Sequence, residues 1–274
     1  MNIATSAAPV NAGSADAIAL PTPTVAIIGA ATLYLGDCYE ILPRLGSIDC
    51  GVMDPPYLFE ASGGGIFRRG RQCMDKIQAA GLDKGFDPHL ITAAQFRSVV
   101  VFCHNDQLDT LLPYLSEQFD RFALCFWHKS NPMPVANKHY KPDTEIYVHA
   151  WNTGGFPTGE LADKARYIVA PVGQQSEFDH PTVKPLPVMR KIIANANGET
   201  ICDPFMGTGS TGVAALQRGK RFIGIERDPR YFDIACKRIA DAQRQGDMFA
   251  GLLPTPDQQG RPLPIPTPAQ GEPK

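Results

Sequence analysis

Asp203-Pro204-Phe205-Met206-Gly207-Thr208-Gly209-Ser210-Thr211-Gly212 sits between a short apolar run, Thr200 to Cys202, and a helical segment over Thr211 to Arg218. Its glycines spell G-x-G-x-x-G at a strand-to-helix turn. Glycine there gives the turn positive φ and lets a ligand approach the backbone closely. The next strand candidate, Arg221 to Ile225, leads into Glu226, where a carboxylate can accept hydrogen bonds from both hydroxyls of a ribose. Together these features indicate an adenosine-containing cofactor. They leave a nicotinamide dinucleotide and S-adenosylmethionine both open.

Outward from this turn, β-branched runs alternate with helical segments. Strands are expected over Thr32 to Leu35, Ile48 to Met53, Ser98 to Cys103, Arg121 to Trp127, Glu145 to Ala150, Thr200 to Cys202 and Arg221 to Ile225. Helices are expected near 38–45, 107–118, 211–218 and 231–244. The Ser98 to Cys103 run is continuously apolar after Ser98, as in a strand covered on both faces. The pattern predicts an α/β fold with a mostly parallel sheet and helices on both faces. Residues 1–23 read as a disordered leader, 24–245 as one domain, and the Pro-rich 246–274 as a disordered tail. The stretches 58–97 and 152–180 break the alternation, and both are expected to be loops facing the ligand side.

The second cluster of chemistry is Asp54-Pro55-Pro56-Tyr57, directly after the strand Ile48 to Met53. Two prolines stiffen the turn. Asp54 offers carboxylate oxygens and Pro55 a carbonyl, all acceptors suited to the two protons of an exocyclic amine. Holding both protons pulls the nitrogen out of conjugation and exposes its lone pair. Tyr57 supplies a face on which a base can stack. Inside a duplex the base cannot reach such a pocket, so it must be turned out. Alone, the tetrapeptide also reads as an ordinary strand-ending turn.

With both clusters in hand, the chain resembles the amino-methyltransferases of DNA with a Rossmann-like fold, in the permuted β-class arrangement that puts D-P-P-Y ahead of F-x-G-x-G. Gly36-Asp37, Trp127-His128-Lys129-Ser130-Asn131-Pro132, Thr144-Glu145-Ile146 and His180-Pro181-Thr182-Val183-Lys184-Pro185 resemble further landmarks of that family, in its order. The resemblance spans about residues 32–240 and implies a seven-stranded Rossmann-like methyltransferase sheet, with S-adenosylmethionine as cofactor and double-stranded DNA as partner. It implies that Asp54, Pro55, Pro56 and Tyr57 hold the target base. Asp203, Pro204, Phe205, Gly207, Gly209, Ser210 and Glu226 would hold the cofactor, with Asp37 near its adenine. His180, Thr182 and Lys184 would reach the methionine carboxylate, Lys184 alternatively a phosphate. Arg68, Arg69, Arg71 and Lys129 are expected on the nucleic acid, the arginine loop reading equally as a solvated, mobile one, and the short 152–180 stretch is expected as the target-recognition segment. No covalent nucleophile is required, and the sequence has no Pro-Cys dipeptide of the kind cytosine C5 methylation needs.

Asp at position 54 tilts the family resemblance toward the N6 of adenine, with the N4 of cytosine as the alternative. A nicotinamide-dependent oxidoreductase would use the Gly-rich turn and Glu226 but leave Asp54 to Tyr57 and His180 to Pro185 without a task. A nucleic-acid-binding module with a dead cofactor site is the third reading, and the complete motifs speak against it. Net charge is −2, so DNA binding rests on local patches. Seven scattered cysteines form no C-x-x-C pair, which leaves no metal site and points to reduced thiols in the cytoplasm. No apolar run is long enough to span a membrane. Gln245-Gly246-Asp247-Met248-Phe249 resembles the extended peptide by which bacterial replication proteins dock on the sliding clamp, with Gln245, Asp247, Met248 and Phe249 as the contacts; the other reading is that Met248, Phe249, Leu252 and Leu253 fold back and cover the last helix.

Overall fold

The computed structural model describes residues 23–58, 84–132, 140–173 and 183–250, with side chains through residue 246. In chain order the strands are β1 (Thr24–Ile28), β2 (Ala31–Leu35), β3 (Ile48–Met53), β4 (Phe96–Cys103), β5 (Arg121–Lys129), β6 (Thr144–Trp151), β7 (Tyr167–Ala170), β8 (Thr200–Asp203) and β9 (Arg221–Glu226). The helices are α1 (Cys38–Ile41), α2 (Leu108–Gln118), α3 (Leu186–Asn195), α4 (Ser210–Gln217) and α5 (Pro229–Ala250). The strands form one sheet in the order β1-β2-β9-β8-β3-β4-β6-β5-β7. Neighbours from β2 through β4 are parallel, as are β5 and β7; the pairs β1–β2, β4–β6 and β5–β6 are antiparallel.

All seven expected strands are present, but the described sheet has nine. β1 joins β2 in a hairpin whose turn is Gly29-Ala30, with Gly29 at φ +53°. The Thr-Val-Ala-Ile-Ile run, inside the expected domain but outside its expected strands, forms one edge of the sheet. β7 is a four-residue edge strand pairing with β5, anchored where the buried Trp127 Nε1 donates to the Ala170 carbonyl at 2.9 Å.

Burial follows the pleat. Along β4, Val100 and Phe102 face one core, packed with Trp127, Ile192, Ile193, Phe222 and Ile239 beneath α3, α4 and α5. Val99 and Val101 face the other, with Met53, Phe96, Leu111 and Leu115 beneath α1 and α2. Period-two alternation inside a wholly apolar run is what a central strand covered on both faces requires. Each of these side chains contributes roughly 1.5–3 kcal/mol through burial.

Topology also decides which loops lie near the ligand side. Parallel strands β3, β8 and β9 bring Asp54, Asp203 and Glu226 to one edge of the sheet. β6 runs the other way, so Glu145 at its start lies on that same edge, whereas the chain leaving Trp151 lies on the opposite one. There Asn152 N–H bonds Arg97 O at 3.1 Å, and Asn195 Nδ2, at the far end of α3, bonds Asp163 O at 2.7 Å. The expectation that all of 152–180 faces DNA is therefore corrected: 152–166 packs on the far edge, and β7 carries the chain back. Of the 58–97 stretch, residues 84–97 are described and are partly core. Leu90 and Ile91 are buried in the second core, and β4 begins at Phe96. Residues 59–83 lie outside the described residues. Their flanks are tied by a bridge between Leu58 and Lys84 and by Gly85 N–H on Tyr57 O at 3.3 Å. Finally, α5 continues to Ala250, so Gln245 to Phe249 is helical backbone and not an extended peptide. Among the described residues no helix is long and apolar enough to cross a membrane, and no group of acidic, His or Cys side chains could hold a metal.

Candidate active site

The shared strand edge carries two half-sites. The first is built on β8 and β9. Glu226 accepts from Gly207 N–H through Oε2 and from Asp228 N–H through Oε1, both at 2.8 Å, which fixes its carboxylate at the mouth of the Gly-rich turn. Burial pushes its pKa up, and those backbone donors pull it back. Asp203 is buried; its oxygens accept from Phe205 N–H at 3.0 Å and Thr211 Oγ1 at 2.5 Å. Burial drives its pKa up to about 7, despite those hydrogen bonds.

Gly209 caps α4 at φ +82°, a conformation that strains any other L residue. Pro204 is buried behind the turn, and Phe205 meets Phe86 edge-on at 5.9 Å. Asp37 follows β2, whose end pairs with Glu226; it is exposed and accepts from Tyr39 N–H at 2.8 Å as the cap of α1. Arg238 from α5, unremarked in the sequence, donates through Nη1 to Thr208 O at 2.6 Å, Thr208 Oγ1 at 2.7 Å and Ser210 Oγ at 3.3 Å. Thus Ser210, expected to hold the cofactor, is buried and engaged with Arg238.

The second half-site follows β3. Asp54 stands at the strand end, with Pro55 buried and Tyr57 part-buried behind it. Lys184 Nζ lies 2.7 Å from each Asp54 oxygen, 3.1 Å from Glu145 Oε2 and 3.4 Å from Tyr57 Oη. Its side chain is only 8% exposed, and it also lies over the ring faces of Phe102 at 4.7 Å and Tyr57 at 5.4 Å. Tyr57 Oη is 3.2 Å from Asp54 Oδ1 and 3.3 Å from Glu145 Oε2. Lys129 Nζ pairs with Glu145 Oε1 at 2.9 Å. Two carboxylates and two ammonium groups thus alternate.

Burial raises the pKa of Asp54, Lys184 working against it. For Glu145 burial pushes the same way, but Lys184 and Lys129 outweigh it and hold the carboxyl below its ordinary range. Lys184 shows the converse: burial lowers, its two carboxylates raise, and the net is upward. Burial beside those carboxylates raises Tyr57 well above an ordinary phenol, so it stays neutral.

The geometry corrects two expectations. Lys184 is held on Asp54 rather than turned toward the Gly-rich turn, because a lysine this buried needs counter-charges, and Asp54 and Glu145 provide them. Lys129, expected on the nucleic acid, is paired with Glu145, its side chain 16% exposed. His180, Thr182, Arg68, Arg69 and Arg71 lie outside the described residues. The sequence offers Glu145 only as part of a resembling strand, because its partners Lys129, Lys184 and Tyr57 stand on other elements and leave no local pattern.

A family model described as DNA methylase, covering N6 and N4 methyltransferases, matches residues 48–237. This chain belongs to the N6/N4 DNA methylase family. Among its relatives, the type II methyltransferase M2.DpnII of Streptococcus pneumoniae is 47% identical over 241 residues, covering 76% of this methylase and 88% of the relative. M2.LlaDCHI of Lactococcus lactis subsp. cremoris is 27% identical, with 76% and 89% covered. Among solved structures, an M1.HpyAVI–SAM complex superposes with a TM-score of 0.56 at 25% identity, over 76% of this methylase and 98% of that chain. The cytosine-N4-specific PvuII DNA methyltransferase superposes at 0.54 with 14% identity, covering 80% and 93%, which shows the shared fold alone.

Proposed function

We propose that this DNA methylase moves a methyl group from S-adenosylmethionine to the exocyclic N6 of adenine in a base turned out of the double helix. The observation that carries the reading is Asp54: a charged double acceptor, ion-paired with Lys184, on the same strand edge as Glu226. The β8–β9 residues fit the cofactor. Glu226 has lone pairs left for a ribose diol, Phe205 and Phe86 form an apolar wall, Asp37 lies at the adenine side, and Asp203 faces the methionine end. Gly207 and Gly209 shape the turn around it, backed by Pro204 and Ser210. The SAM complex of M1.HpyAVI, on the same fold, supports this. S-adenosylmethionine supplies an electrophilic methyl group on a sulfonium.

The chain's own contribution is positioning and polarisation. Asp54 and the Pro55 carbonyl accept the two amine protons, Pro56 stiffens the turn, and Tyr57 stacks on the base. Such preorganised acceptors contribute about a hundredfold or more to rate. His180 and Thr182 complete the cofactor side, and Arg68, Arg69 and Arg71 contact phosphates beside the turned-out base. N4-cytosine methylation is the second reading, since the same acceptors serve any exocyclic amine.

The test is product analysis. Purified protein is incubated with unmethylated DNA and cofactor carrying a deuterated methyl, and the DNA is digested to nucleosides for mass spectrometry. Labelled N6-methyladenine is expected; labelled N4-methylcytosine alone would transfer the assignment to cytosine. The protein works where reduced thiols persist, in the cytoplasm; all six cysteines among the described residues are free. Docking of Gln245, Asp247, Met248 and Phe249 on a sliding clamp requires the last turn of α5 to unwind. A peptide spanning 243–253 that binds the clamp, and loses binding with Phe249→Ala, supports it.

A further inference from the structure

Lys184 occupies the place the target amine must take. An ammonium has three N–H groups; here two point at the oxygens of Asp54 and one at Glu145 Oε2, with the nitrogen 2.7, 2.7 and 3.1 Å from them. An exocyclic amine entering the site needs at least one of those Asp54 oxygens. A buried carboxylate left with no partner takes up a proton, and a protonated Asp54 would be a donor where an acceptor is needed.

We propose that Lys184 is a resident stand-in for the substrate amine. Its ammonium keeps Asp54 ionised between turnovers and yields one carboxylate oxygen when the base enters, and Glu145 is the positioning residue that keeps hold of it during the exchange. This rests on Asp54 as the acceptor of the target amine. Glu145 suits the task because it is itself anchored by Lys129 at 2.9 Å from β5, so the ammonium can shift its weight without losing a counter-charge. When the new carbon–nitrogen bond forms and the methyl leaves sulfur, the nitrogen sheds one proton. Asp54, with one oxygen freed, receives it and passes it to water, and Lys184 then closes back onto the carboxylate.

Among the described residues, the charged and titratable groups facing Asp54 are Lys184, Glu145 and Tyr57, with Asp203 across on β8. Lys129 acts on it through Glu145 and Cys103 through Tyr57. Removing Lys184, the one cation in direct contact with Asp54 among the described residues, therefore raises the carboxyl's titration midpoint. Two readouts test the proposal. In cofactor-free protein with 13C-labelled Asp carboxyls, Asp54 is assigned by its loss in Asp54→Asn. Its signal stays that of a carboxylate across the pH range of turnover in the wild type, and titrates at higher pH in Lys184→Met. In turnover, Lys184→Met loses at least tenfold in kcat at pH 7 and regains most of it by pH 9. Lys184→Arg keeps the wild-type shape of the profile. Glu145→Gln lowers kcat several-fold, leaves cofactor affinity unchanged, and does not shift the acid limb upward. An Asp54 signal that stays ionised in folded Lys184→Met, with an unshifted profile, overturns the proposal. A wild-type protein inert on DNA would instead sink the methylase site assignment beneath it.

Discussion

Single side chains divide the work. Glu226 is committed to two backbone N–H groups and to whatever approaches the Gly-rich turn. Glu226→Gln keeps its shape but trades one accepting oxygen and the charge for an amide. Loss of one charge-assisted hydrogen bond, about 1.5–3 kcal/mol, weakens S-adenosylmethionine binding by roughly ten- to a hundredfold, measurable by isothermal titration. Asp203 has a pH signature. Its carboxyl is pushed up to about 7 in the folded chain by burial, above its unfolded value. The folded state therefore binds the extra proton, so this group's stabilisation is present in acid and is lost as pH rises through about 7. Urea unfolding at pH 5 and pH 8 should show a loss in the wild type relative to Asp203→Asn. Equal pH dependence in the two would place the Asp203 carboxyl in the ordinary range.

Secondary-structure elements set where those side chains stand. α4 packs on β9 closely enough that a Cβ on Gly212 would lie 2.6 Å from the Phe222 ring and 2.7 Å from Ile239 Cδ1. Gly212→Ala should lower stability by about 1–3 kcal/mol in urea unfolding and weaken cofactor binding as α4 tilts the turn. A variant as stable as the wild type would mean the helix has room to shift. The central strands were legible because each is a β-branched or apolar run bounded by turn residues, and β4 is apolar almost throughout. The β1–β2 hairpin is written in Thr-Val-Ala-Ile-Ile-Gly-Ala-Ala-Thr-Leu-Tyr-Leu, but β1 is a short run at the very start of the domain, and only pairing with β2 makes it a strand. β7 had four residues and alternating exposure. Its strand character comes from pairing with β5 and from the Trp127–Ala170 hydrogen bond, not from its own composition.

Taken whole, the molecule places both half-sites on one edge of a mixed sheet by reversing a few strands. The motifs Asp54 to Tyr57 and Asp203 to Gly212 were legible because each is local: a strand end, a rigid or Gly-rich turn, and the start of the next element. The Lys184–Asp54–Glu145–Lys129 network was not, since it joins four separated parts of the chain that only topology brings together. Nor could the sequence show that 152–166 lies on the far edge, which follows from β6 running antiparallel to β4. A net charge of −2 is compatible with a DNA enzyme in which Lys129 and Lys184 are neutralised internally by Glu145 and Asp54.

If the two half-sites are separable, cofactor binding and methyl transfer must come apart on one substitution. The decisive measurement is Asp54→Ala, with S-adenosylmethionine affinity by isothermal titration and methyl transfer to DNA followed on the same preparation. The expected result is a dissociation constant within about twofold of wild type and a transfer rate reduced a hundredfold or more. Loss of cofactor binding, or retention of more than about a tenth of the activity, would contradict the assignment of Asp54 as the group that receives the amine.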